Sequence, residues 1–521
     1  MTSLNSLGRQ LADGLTAASR QENSREQVWR DSEKINIVGA GKALTAAYEQ
    51  LRNAAENVEE HLLLQNAIKR FYKQLFIMRD EAMVGDSGSE LAIELTLAGY
   101  LANDTLAKPQ IDQISRLAVD HYAAYEDINL RRGANQEKAF GWLLDTLAVS
   151  VEGVINQHYN DTAFVDFSYH YLTTLIPEGL IKGRKKADYS AELFVSIHRA
   201  LLKSDSAIIR TQLLARYGVS VRDVTRYLEF NKRIDALIES PTADKLYHIT
   251  DRQGAVLRII RRMIEERSDF IEILPRRGVF LEAYEQQVRR EYSRVSTRIN
   301  RAIVRSVIFL VVTKFIIGIA IEIPYDIWAH GEIIWSVLAI NLFFPPVYMV
   351  LLRLTHTLPG YANTTAMVDR IDAMLYGEKI TLMKKQLSAK HHGAVFSVVY
   401  TALSIAVIIG LIYCLLLLGF SMVHIAIFFV FFSAASFLGF RLSRLIREIE
   451  VVRSSSNGLT IIRDLVYLPF VVIGRWMSDK YSKVNVVTIV LDMLIELPLK
   501  TVLRLIRQWS AFIDDRKDHI S

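Results

Sequence analysis

The sequence predicts an all-α protein: a helical soluble N-terminal domain, a polytopic α-helical membrane domain of about four crossings, and C-terminal amphipathic or interfacial helices. Three observations carry this. Apolar residues recur at three- and four-residue spacing over the first 300 positions, as in Ile111, Ile114, Leu117, Ala118, Tyr122 and Tyr125, which is one face of a helix. Later runs such as Ala394–Phe420 contain no charged side chain and exceed the roughly 20 helical residues that cross a bilayer. Basic residues gather beside those runs, as they do where they set membrane orientation.

Residues 1–30 read as a polar N-terminus open to disorder and without the apolar core of a secretory signal, so no cleaved signal peptide is expected. Residues 31–300 are expected to be a cytoplasmic helical domain. Its amphipathic segments include Gln136–Tyr159, Asp161–Ile176 and Ala191–Tyr217. Turn chemistry interrupts them at Gly85–Ser89, Leu106–Pro109, Arg131–Asn135 and Pro177–Gly179. Ser87 with Glu90 has capping-box spacing, and Asp161 before Phe164 suggests another helix start.

The membrane domain is expected over 301–440, with crossings at about 306–323, 333–352, 394–418 and 422–440. Arg305, Arg353, Lys390-His391-His392 and Arg441 border them, which places those ends and both termini in the cytoplasm. The connection Glu322–Glu332 carries Glu322, Asp326 and Glu332 without Lys or Arg, so it and the Gly419 turn belong outside. Ala402, Ala406 and Gly410 on the third crossing, with Ala435 and Gly439 on the fourth, have the small-residue spacing that permits close helix pairing. Residues 441–521 are expected to be a cytoplasmic and interfacial tail. In it, Leu465–Gly474 is apolar but too short to cross, and 484–509 is amphipathic with a bend at Pro498.

Enzymatic and cofactor chemistry find little footing. Gly39-Ala-Gly-Lys42 resembles the opening of a nucleotide loop, but Leu44 stands at the third glycine position and Asn36 at the first glycine of a Walker motif. His158, Asp161, Asp166 and His170 match no metal-ligand spacing, and the single cysteine, Cys414, rules out an intrachain disulfide. No cofactor, metal site or catalytic residue is therefore expected. The net charge of +6 does not call for nucleic acid, because the basic residues follow the membrane borders.

Two groups of residues remain as candidates. Lys314, Glu322 and Asn341 are polar groups in or at the crossings, where an ionisable side chain is costly and usually functional. On ideal helical geometry Lys314 and Glu322 lie about 80° apart, so Asn341, or a carbonyl freed at a Pro345-Pro346 break, is the expected partner of Lys314. Arg290, Arg294, Arg298, Arg301 and Arg305 share a face of the helix entering the membrane and suit anionic headgroups. The expected function is a membrane-anchored binding or scaffolding protein with a cytoplasmic protein partner. The alternative is an oligomeric channel or transporter subunit, which as a homo-oligomer would enclose a path that four crossings rarely enclose alone.

Overall fold

Three of the helices start where an aspartate accepts an amide that has no partner within the helix. Asp80 accepts from Met83 N at 3.2 Å, Asp205 from Ile208 N at 2.9 Å, and Asp223 from Arg226 N at 3.2 Å. The computed structural model describes residues 4–30, 32–34, 49, 62–131, 135–156, 159–176, 186–355, 358–377, 394–452 and 458–483. These residues form no strand.

In chain order the first helices are α1 (Ser6–Arg30), α2 (Leu63–Met78), α3 (Glu81–Gly85), α4 (Ser87–Leu97), α5 (Lys108–Leu130) and α6 (Gln136–Ile155). There follow α7 (Tyr159–Leu175), α8 (Lys186–Ile197), α9 (Ser206–Arg216), α10 (Val224–Ile238), α11 (Pro241–Glu266) and α12 (Phe270–Ile273). The remainder are α13 (Arg277–Ile317), α14 (Ile323–His330), α15 (Trp335–Thr355), α16 (Tyr361–Leu375), α17 (Ala394–Leu417), α18 (Met422–Arg447) and α19 (Gly458–Lys483). The chain divides into two compact units between Thr250 and Asp251, within α11, and the first residues up to Gly8 belong with the later unit.

In the earlier unit, α6 packs against α2, α5 and α9. The Phe76 ring lies edge-on to Tyr122 at 5.3 Å and tilted to Tyr125 at 5.7 Å, in the centroid range where aromatic pairs attract. Polar side chains inside this core bridge its helices: Tyr227 donates to Trp142 O at 3.0 Å, and Arg210 reaches Asn231 Oδ1 at 2.8 Å and Asp235 Oδ1 at 2.6 Å. Burial pushes the His121 imidazole down to about 4, so it is neutral at pH 7.

Several expectations about this region need correction. The helix after Gly85 is α4, which starts at Ser87 itself, so Ser87 is its first residue and not its cap; the preceding Asp86 accepts from Ser89 Oγ at 3.0 Å. Ala191–Tyr217 is not one helix, because a π turn over His198–Leu202 leads to Lys203 in the left-handed region and α9 begins afresh behind Asp205. Asp161 lies in the first turn of α7, inside the helix. His158, the Gly39–Lys42 segment, His391-His392 and 484–509 lie outside the described residues.

In the later unit, four helices are long and apolar enough to cross a membrane, as expected of a membrane protein. They are Arg277–His330, Trp335–Arg353, Val398–Leu417 and Met422–Arg447. The first is one 54-residue helical run from α13 through a π segment, Gly318–Glu322, into α14. The stretch read from sequence as an outer loop, Glu322–Glu332, is therefore mostly helix. α15 runs unbroken through Pro345 and Pro346, which corrects the expected break. Proline 345 still has no N–H to offer the Asn341 carbonyl.

α18 is central, packing on α13, α15 and most extensively on α19. Leu465–Gly474 lies inside α19, where Tyr467, Phe470 and Val471 are buried. The expected pairing of crossings three and four through small residues is corrected, since Ala402, Ala406 and Gly410 are exposed. Ala435 and Gly439 serve α15 instead: a Cβ on Gly439 would lie 2.5 Å from Leu352 Cδ1. At the polar end of this unit Asn363 holds the chain after α18, accepting from Val451 N at 2.7 Å and Val452 N at 2.9 Å while donating to Ile449 O at 2.9 Å.

Candidate functional site

A helix of regular α geometry advances 100° per residue, so eight residues leave Lys314 and Glu322 on different faces. The π segment between them accommodates one extra residue in the turn. Eight positions then span about seven regular steps, which brings the two to within about 20°. The Cα–Cβ bond of Glu322 also tilts toward the helix N-terminus, back toward Lys314. The result is a direct Lys314–Glu322 ion pair, with Lys314 2% exposed and Glu322 fully buried. Sequence geometry had made that pair improbable, and the π turn is the reason it forms.

Asn341 joins the same carboxylate. Its Nδ2 donates to Glu322 Oε1 at 2.9 Å and lies 3.4 Å from His424 O. The structure thus brings together the three intramembrane candidates, with Glu322 rather than Lys314 bonded to Asn341. The Lys314 ammonium also sits 5.1 Å over the Phe431 ring, a favourable place for a cation.

One helical turn beyond Glu322 the same buried stripe carries Asp326, which sequence reading had assigned to a loop. Asp326 Oδ2 accepts from Ile334 N at 3.1 Å and so closes the α14–α15 connection. Its Oδ1 faces His424 Nε2 at 3.3 Å and His330 Nδ1 at 3.6 Å. Asp326 and His424 are fully buried, whereas the His330 side chain is 36% exposed. Ser421 Oγ meets His424 Nδ1 at 2.8 Å, and the Tyr325 ring lies 5.8 Å from His424 and 5.9 Å from His330. The missed residues left a signal in the sequence: His424 is a titratable group at the start of an apolar helix, and Glu322 to Asp326 is a helical step of four.

Polar groups here are incompletely satisfied. Glu322 Oε2, Asn341 Oδ1, Asp326 Oδ1 and His424 Nε2 are buried and make no hydrogen bond in the structure. The cluster holds two carboxylates and one lysine, and only Glu322 pairs with that lysine, so with both carboxylates ionised and the histidines neutral its formal charge is one negative. Such a charge is costly in a low-dielectric interior. One more proton or cation would neutralise it.

The arginines occupy the other end of α13. Arg290, Arg298, Arg301 and Arg305 are exposed, on the side of α13 opposite the buried Val288, Val295, Ile299 and Ile303. Arg294 differs from them, being bound to Glu266 Oε2 at 2.9 Å and Glu291 Oε1 at 2.7 Å. The Arg294 guanidinium holds the Glu266 carboxyl below its ordinary value. Arg353 donates to Asn300 at 2.8 Å, and Arg441, Arg444 and Arg447 are exposed on the last turns of α18. Ile299, Ile303, Leu352 and Ile446 pack in one cluster, which brings Arg298, Arg301, Arg305, Arg353 and the α18 arginines to one stretch of the bundle, while Arg290 lies about 22 Å before Arg305 along α13. Trp328 and Trp335, at the opposite end of the helices, are exposed.

No family model, curated protein or solved structure matches this chain.

Proposed function

We propose that this chain is an integral membrane protein whose membrane unit binds and moves a proton or small monovalent cation, as a channel or transporter subunit. The observation that supports it is the buried Lys314–Glu322–Asn341–Asp326–His424 cluster. A helix bundle that served only as an anchor would be expected to fill those positions with apolar side chains at lower cost. Polar groups inside a bundle of crossings are the usual mark of an ion path. The scaffolding function that sequence alone placed first draws support from the large helical unit Arg9–Thr250, but it gives the cluster no task. The two readings combine if the helical region binds a cytoplasmic partner and the membrane unit responds to ions; assembly into a homo-oligomer is compatible with both.

The test uses the purified chain in liposomes, reading potential-driven uptake of protons, Na⁺ and K⁺. Uptake of one of these above protein-free vesicles is expected, with a loss of at least about tenfold in Glu322→Gln, which keeps the shape and removes the charge. Wild-type vesicles indistinguishable from protein-free ones for all three ions would sink the proposal.

The exposed arginine face is proposed to lie against anionic headgroups on the cytoplasmic side, with both termini there. Each basic residue near such a surface contributes about 1 kcal/mol. The wild-type chain is accordingly expected to melt higher in anionic than in neutral nanodiscs. Replacing Arg290, Arg298, Arg301 and Arg305 together by glutamine should abolish most of that difference. An unchanged difference would remove the arginines from the explanation.

A further inference from the structure

We infer that the buried cluster is a one-sided proton path, open at His330 to the end of the bundle that carries Trp328 and Trp335, and closed below Lys314 toward the arginine level. This rests on the proposed ion-handling role and adds the identity of the ion and the side of its entry.

The identity follows from the chemistry of the groups. The Glu322 Oε1 atom is taken by the Lys314 ammonium and by Asn341 Nδ2. Asp326 Oδ1 faces two imidazole nitrogens. The oxygens left without a hydrogen bond, Glu322 Oε2, Asn341 Oδ1 and Asp326 Oδ1, are fewer than the roughly six that a hard metal cation takes, whereas carboxylates beside imidazoles form a set of proton acceptors and donors. The single uncompensated negative charge of the cluster is the amount one bound proton cancels. Asp326 with His424 is where it would sit, since both are fully buried and their facing atoms lack a hydrogen bond.

The side follows from burial. His330 is part-exposed and touches Asp326, which gives the pair an exit. Tyr325 lies beside both histidines, and Asn341 spans from His424 O to the Glu322–Lys314 pair deeper in the bundle. Beyond Lys314 the character changes. Leu310, one turn away on α13, packs with Ile303, Met349, Leu352, Phe431 and Ala435, all buried. Among the described residues, the polar side chains of α15 and α18 buried toward the arginine level are hydroxyls, Ser433, Ser443 and the Ser436–Tyr348 pair, which do not titrate near neutral pH. Among the described residues, the titratable groups facing the cluster are Lys314, Glu322, Tyr325, Asp326 and His330 from the first crossing and His424 from α18. α15 supplies Asn341 but no ionisable group, and the described side chains of α17 near the cluster are apolar.

The experiment uses the full chain in liposomes sorted for one orientation. A carbodiimide that partitions into lipid reacts with protonated carboxyl groups, and peptide mass spectrometry reads its adducts on Glu322 and Asp326. The pH is changed on one side of the vesicle at a time while the other is held fixed. Labelling of Asp326, Glu322 or both is expected to fall up to roughly tenfold per pH unit when the His330 side is made alkaline, and to change less than about twofold when the arginine side is. His330→Ala should slow the response to a pH jump on the open side without altering its sidedness. Labelling that follows the arginine side, follows both sides equally, ignores pH, or fails at both carboxylates would overturn the inference. Sided labelling without ion uptake would leave the proton site standing and remove transmembrane transport. Uptake with two-sided labelling would leave transport standing and remove the one-sidedness of the path.

Discussion

Lys314→Leu alone is expected to destabilise the membrane unit by about 3–5 kcal/mol, the usual cost of removing one partner of a buried ion pair. With Lys314 gone, Glu322 is a fully buried carboxylate that keeps the hydrogen bond from Asn341. It must then either hold an uncompensated charge or take up a proton. The double variant Lys314→Leu/Glu322→Leu removes the charge on both sides and should recover most of the loss, since replacing a buried pair by apolar side chains is often near neutral. Thermal unfolding of both variants in detergent or nanodiscs reads the difference. A lysine that merely reached toward headgroups would give a single variant as stable as wild type. A double variant no better than the single one would likewise refute the pairing. Flux is the second readout: the double variant should fold and fail to transport, which separates the function of the pair from its place in packing.

Much of the architecture could be read from the sequence because its signals are local and repetitive. The four apolar runs needed only length and hydropathy, and the arginine face of α13 needed only a period of 3.6. Lys314 stood out because a charge nine residues past Arg305, about 13 Å along a helix, has no cheap location there. Its partner was not legible, since the reading assumed uniform α geometry and a single π turn changed the phase by about one residue. Asp326 and His330 were hidden for a related reason: acids and a glycine near a hydrophobic border look like a loop, while the helix continues to His330. His424 was absorbed into an apolar helix whose buried side cannot be identified without knowing which neighbours pack on it. Pro345 and Pro346 misled in the other direction. A proline pair predicts a broken helix in water, but packing keeps α15 continuous, at the cost of carbonyls without helical donors.

The small residues show the same dependence on neighbours, and one of them carries the other large expected effect. Gly474→Leu should separate α19 from α18. A Cβ at Gly474 would lie 2.3 Å from Ser433 O and 2.7 Å from Phe437 Cβ, and a backbone carbonyl inside a helix cannot turn away as a side chain can. The helices would have to move apart along the contact that seats Phe470 against Phe432, with ring centroids 4.3 Å apart, and against Phe429 at 5.5 Å. Overpacking of a core ordinarily costs about 1–3 kcal/mol, and a clash with backbone places this variant at the upper end, about 3 kcal/mol. Gly410 supplies the control, because a Cβ there meets nothing within 4 Å. Gly410→Leu should be neutral or gain up to about 1 kcal/mol from the better helix former. The two variants differ only in position, so hydrophobicity and side-chain size cancel between them. Melting of each in the same nanodiscs decides the matter: a large loss for Gly474→Leu beside none for Gly410→Leu is the expected result. Equal melting temperatures would mean that the close approach of α18 and α19 contributes nothing measurable to the fold.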